Sequence, residues 1–108
     1  MPTARLNGME IRNWQDFHRE SQSAFGFPEF YGRNMDAWID CLSTLRDGDG
    51  MSQLMLGPDE ALDVEVLCAG ILRRQAPEIL DALIDCVAAV NERYAENGEK
   101  PALSLLLR

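Results

Sequence analysis

Residues 25–45, FGFPEFYGRNMDAWIDCLSTL, are the stretch around which the chain is organised: an aromatic loop broken by proline and glycine leads into a short amphipathic helix. Phe27, Phe30 and Tyr31 crowd a turn marked by Pro28 and Gly32, and Asn34 stands where the N-cap of a helix starting at Met35 belongs. At helical spacing Met35, Trp38, Leu42 and Leu45 share one face, while Asp36, Asp40, Ser43 and Thr44 share the other. The apolar face predicts packing on a core, and the other face is acidic.

Asp36 and Asp40 are i,i+4 neighbours, and like charges so placed cost about 0.2–0.5 kcal/mol. The positive end of the helix dipole offsets this for Asp36 in the first turn and much less for Asp40. Folding does not ask for the pair. By pattern alone it reads first as a solvated helix face, with a cationic partner as the second account.

Working outward toward the N-terminus, Ala4–Leu6 is a short strand candidate ending at the Asn7-Gly8 turn signal. Asn13 followed by Asp16 predicts a helix start, and Trp14, Phe17, Ser21, Ala24 and Phe25 form its apolar face until Gly26 stops the run. His18 sits at the rim of that face and reads as a half-buried core-edge histidine, because nothing at a catalytic or metal-binding spacing accompanies it.

Toward the C-terminus, Arg46–Gly50 (RDGDG) reads as a tight turn lacking the further ligands of a calcium loop. Ser52–Leu56 and Leu62–Leu67 read as two strands of a hairpin across Gly57–Glu60, the second with Leu62, Val64 and Val66 inward and Asp63 and Glu65 outward. A short helix over Ala69–Arg74 precedes a longer one from Pro77 to about Glu96, which buries Ile79, Leu83, Val87, Val90 and Tyr94 and turns Asp81, Asp85 and Glu92 outward. Ala102–Leu107, ALSLLL, reads as an interior strand covered on both faces. The order of elements predicts a small single α/β domain over residues 1–108, with a mainly parallel sheet and helices packed on it.

With 46% hydrophobic and 26% charged residues in 108, the chain is globular and long enough for one core. A net charge of −8 argues against nucleic acid as a ligand and favours a basic partner. Cys41, Cys68 and Cys86 show no CxxC spacing and His18 is the only imidazole, so reduced thiols are expected, with no metal site and no cofactor. No run of about 18 apolar residues occurs, and MPTARLNGMEIRNW lacks the basic-then-apolar order of a secretion signal; a cytoplasmic protein without membrane contact is the expectation.

The motif Phe-Tyr-Gly-x-Asn-Met-Asp-Ala-x-x-Asp-Cys at residues 30–41 resembles the signature of the barstar family, small intracellular inhibitors of barnase-type secreted ribonucleases. The similarity extends to the N-terminal strand, the first helix, the last helix and the final strand, and thins between Arg46 and Ala76. It implies a three-stranded parallel sheet flanked by helices, with the proposed hairpin as a possible extra edge strand, and inhibition without chemistry by a protein that is monomeric when free. In that family the second helix and its preceding loop plug the nuclease active site, with an aspartate where the RNA phosphate binds. The resemblance implies this role for Asp40, a contact with basic rim residues for Asp36, and packing of Phe30, Tyr31, Gly32 and Asn34 on the guanine-recognising side and the catalytic histidine. It also implies an acidic contact from the last helix, for which Glu92 is the candidate by helix face and Asp85 the alternative. Phe30 stands where the family commonly has tyrosine, and Ile39 replaces a tryptophan beside the key aspartate; both open the identity of the partner.

Three functions follow as expectations: an inhibitor of a basic ribonuclease or toxin domain, an adaptor for another basic protein, or a hydrolase using Asp36 and Asp40. The last lacks a Ser-His arrangement, a phosphate loop and a ligand cluster, so the chain is expected not to be an enzyme.

Overall fold

The computed structural model describes residues 2–46 and 54–108. Strand β1 (Thr3–Asn7) runs through a 3₁₀ turn (Gly8–Glu10) into helix α1 (Trp14–Phe25), followed by α2 (Met35–Leu42), β2 (Leu62–Leu67), α3 (Ala69–Gln75), α4 (Pro77–Glu96) and β3 (Leu103–Leu107). The strands form one parallel sheet in the order β1-β2-β3, with Thr3 opposite Asp63 and Leu62 opposite Leu103. This is an α/β fold, and among the described residues each crossover carries two α-helices.

Local chemistry explains the boundaries. The Asn13 carboxamide accepts from Asp16 N at 2.9 Å and opens α1, while Gly26, left-handed at φ 65°, closes it. Pro77 occupies the first turn of α4, where no N–H is needed, and Gly98 at φ 75° follows its end. On the sheet, Leu6, Leu62, Val64 and Val66 are fully buried on one face and meet Phe17, Trp38, Ile79 and Leu83 in a common core. Packing of α1 on β1, α4 on β3 and α2 on α4 places α2 at the outer layer, held through its neighbours.

Two expectations need correcting. Leu54–Leu56 are irregular, so among the described residues no hairpin strand precedes β2; Ser52 and Gln53 lie outside them, as does the proposed turn beyond Arg46. The reason is that β2 is the central strand: β1 takes one of its edges and β3 the other, leaving nowhere for an antiparallel neighbour. β3 is likewise an edge strand rather than an interior one. Leu103 is buried, Leu105 and Leu106 are half-buried, and Leu107 is exposed. Successive crossovers of one hand in a monotonic strand order put all helices on the same face, so the Arg5, Glu65 and Leu106 side of the sheet faces solvent.

Candidate functional site

The loop between α1 and α2 is fixed by its own aromatic residues. Phe27 stacks on Phe25 with ring centres 5.3 Å apart, and Tyr31 lies 4.7 Å from Phe27. Gln22 Nε2 donates to Pro28 O at 2.9 Å, and Tyr31 N donates to the same carbonyl at 3.0 Å, closing the turn. At its floor the Tyr31 hydroxyl and His18 Nδ1 are 2.7 Å apart. Burial drives the Tyr31 pKa well above the usual phenol range. Burial, with the nearby Arg33 charge, pushes the His18 pKa down. The phenol keeps its proton and the imidazole is neutral, so one hydrogen bond joins the two groups, its direction set by the imidazole tautomer. His18 is therefore buried and partnered, not a rim histidine, and Trp14 is the exposed residue of that face, its ring stacked on the imidazole.

Helix α2 starts where Asn34 Oδ1 accepts from Ala37 N at 2.8 Å, after the left-handed Arg33 at φ 52°. A Cβ on Gly32 would approach Asn34 Nδ2 to 3.2 Å, so glycine leaves the cap its space. One face of the helix is anchored by Trp38, which is fully buried, donates from Nε1 to Ser21 Oγ at 3.2 Å and meets Phe25 edge-on. The other end is tied to α4 by Tyr94, whose hydroxyl donates to Leu42 O and accepts from Leu45 N, both at 2.9 Å. These anchors orient α2 so that Asp36 and Asp40 face out and Ile39 lies half-buried between the core and the acidic face.

Phe30 projects from the loop at 77% exposure. Between it and α2 lies a notch of about 120 Å³ lined by Phe30, Tyr31, Gly32, Ala37, Asp40 and Cys41. Phe30, Tyr31, Gly32 and Asp40 thus converge on one feature, whereas Asn34 caps the helix at its edge and Asp36 lies one turn before Asp40. Burial, followed by the Asp40 charge, pushes the Cys41 thiol pKa up, away from nucleophilic reactivity. No cluster of His, Cys, Asp or Glu able to hold a metal occurs among the described residues, and none of their helices is long and apolar enough to cross a membrane.

One residue at this face escaped sequence reasoning. Arg93 Nη1 of α4 donates to Asp40 Oδ1 at 2.7 Å and to Ser43 Oγ at 3.3 Å, so the residue of the last helix that reaches the acidic face is a cation. Glu92 is exposed at the adjacent position. The available signal was modest: Arg93 lies three residues after buried Val90 and seven after buried Cys86, on the flank of the stripe that packs against α2. With both side chains about half exposed, the pair is worth at most about 1 kcal/mol to folding.

The one-sided α/β sheet thus carries an outer helix and an aromatic loop that present an apolar notch beside carboxylates, with the His18 imidazole held in the core. The chain belongs to the barstar family: the family model Barstar, described as barnase inhibitor, matches residues 1–105. Over 38 residues it is also 37% identical to a Bacillus subtilis (strain 168) protein named "Putative ribonuclease inhibitor YrdF". That stretch is 35% of this chain and 42% of the relative, so the match spans under half of the relative's length.

Proposed function

We propose that the protein is an intracellular inhibitor of a barnase-type ribonuclease and that it blocks the enzyme with the loop and helix at residues 28–45. The observation that carries this reading is the convergence of exposed Phe30, the notch and the Asp40 carboxylate on one rigidly anchored face. A nuclease cleft must bind an RNA phosphate with Arg or Lys, and a carboxylate satisfies the same donors through short, charge-assisted hydrogen bonds. Asp40 enters the phosphate position, Asp36 meets the basic rim, and Phe30, the part of the Tyr31 ring that lines the notch and Gly32 cover the apolar, base-recognising side. Asn34 contributes by fixing the start of α2, and Ile39 shapes the surface next to Asp40. No bond is made or broken: inhibition is occupancy, and its strength comes from charges desolvated together in a preformed geometry.

The family assignment and the name of the Bacillus relative support this reading, as does a net charge of −8, which steers the protein toward a cationic enzyme. Titrating purified protein into an RNA-cleavage assay with barnase tests it. The expected result is stoichiometric loss of cleavage that Asp40→Ala weakens at least about 30-fold, the scale of a hot spot of about 2 kcal/mol. Undiminished cleavage at large excess contradicts it.

A further inference from the structure

The proposed inhibitory face carries a positive charge at its centre. Asp40 Oδ1 is already engaged by Arg93, whose Nη1 also reaches Ser43 Oγ; Ser43 Oγ in turn donates to Ile39 O at 2.6 Å, so the guanidinium rests on a hydroxyl fixed to the helix backbone. Asp40 Oδ2 and the remaining Arg93 nitrogens have no partner among the described residues. The backbone that carries Arg93 is fixed beside Asp40, because the next residue, Tyr94, is buried and bonded to both Leu42 and Leu45 across the α2–α4 contact.

Resting on the reading of Asp40 as phosphate mimic, we propose that Arg93 is a specificity determinant that disfavours clefts lined by cations alone and admits partners presenting an acceptor, such as a carboxylate, opposite its guanidinium. In the free protein both charges are hydrated, so the ion pair itself holds Asp40 only weakly. In a complex the balance changes. A phosphate site brings Arg or Lys to within a few ångströms of Asp40, hence of Arg93, and like charges desolvated together are penalised far more than they are in water. Either Arg93 swings out and gives up Asp40 and Ser43, or the partner supplies an oxygen that pairs with its free nitrogens. A partner with such an oxygen retains Asp40 between two cations and loses nothing. Arg93 thereby makes discrimination depend on a repulsive element, a device that separates close relatives more sharply than added attraction does.

The test measures inhibition of barnase by wild type, Arg93→Gln, Arg93→Glu, Arg93→Lys and the double variant Asp40→Ala/Arg93→Gln, with thermal unfolding recorded for each. We expect Arg93→Gln to bind at least about tenfold more tightly than wild type and Arg93→Glu more tightly still, the scale of relieving one like-charge contact. Arg93→Lys is expected to stay near wild type, and the gain from Arg93→Gln to vanish without Asp40. A purely structural Arg93 would give weaker binding and lower unfolding temperature in the Gln variant, which overturns the proposal. Equal affinities for wild type, Arg93→Gln and Arg93→Glu, with inhibition still dependent on Asp40, overturn the proposal while leaving the inhibitor reading intact. Absence of inhibition by every variant, Arg93→Glu included, overturns both.

Discussion

At the residue scale, the face depends on side chains that hold and side chains that show. Tyr31 belongs mainly to the first kind: its hydroxyl serves His18, and only part of the ring lines the notch. Tyr31→Phe leaves a buried imidazole nitrogen without its hydrogen-bond partner and should destabilise the fold by about 1–3 kcal/mol in denaturant titration. His18 adds a pH dependence of definite sign. Its folded pKa lies below the ordinary 6.5, so the unfolded chain binds the extra proton. The stability it contributes is complete above pH 6.5 and is lost as the pH falls through the lowered value. His18→Gln should flatten that part of the stability profile between neutral and acid pH. Asp40 is of the second kind: Asp40→Ala should shift the unfolding midpoint little, since it gives up only a half-exposed pair. The like-charge cost read from the spacing of Asp36 and Asp40 is offset by Arg93, 53 residues from Asp40 in sequence and therefore outside the reach of any local pattern.

At the scale of elements, most of the fold was legible because helices announce their ends locally. Asn13, Gly26, Asn34, Pro77 and Gly98 act where the sequence implied they would, and the inward residues of β2 and α4 follow from periodicity. What stayed hidden was nonlocal. An apolar run such as Leu103–Leu107 does not say whether one face or two will be covered, and a strand-like stretch before β2 does not say that both edges of β2 are taken. The chain just after α2 is tied down at Arg46. Its buried guanidinium donates to Lys100 O at 2.7 Å and Glu60 O at 2.8 Å and lies 5.0 Å from the centre of the Tyr94 ring. Arg46→Ala should cost at least about 2 kcal/mol, because charged hydrogen bonds are lost from a site water does not readily refill. Asn34→Ala should cost about 1 kcal/mol through the lost cap, and weaken inhibition by loosening the start of α2. Comparing unfolding with inhibition separates the two effects.

At the scale of the whole molecule, the proposed function has the sheet, the core and the charge serve one surface. Trp38, Phe25 and Phe27 bury the underside of the loop and helix, so under the proposed function Phe30 and Asp40 would need little further ordering on binding. The net charge of −8 acts at longer range. Association with a cationic nuclease should slow at least about tenfold between low and high salt while dissociation changes much less, measured by stopped flow. The face itself is read most directly by amide hydrogen exchange of the protein with and without barnase. The account predicts that added protection concentrates on residues 28–45 and the Arg93 turn of α4, and leaves the open edges of β1 and β3 unchanged. Protection on those strand edges, with residues 28–45 exchanging as in the free protein, would contradict it.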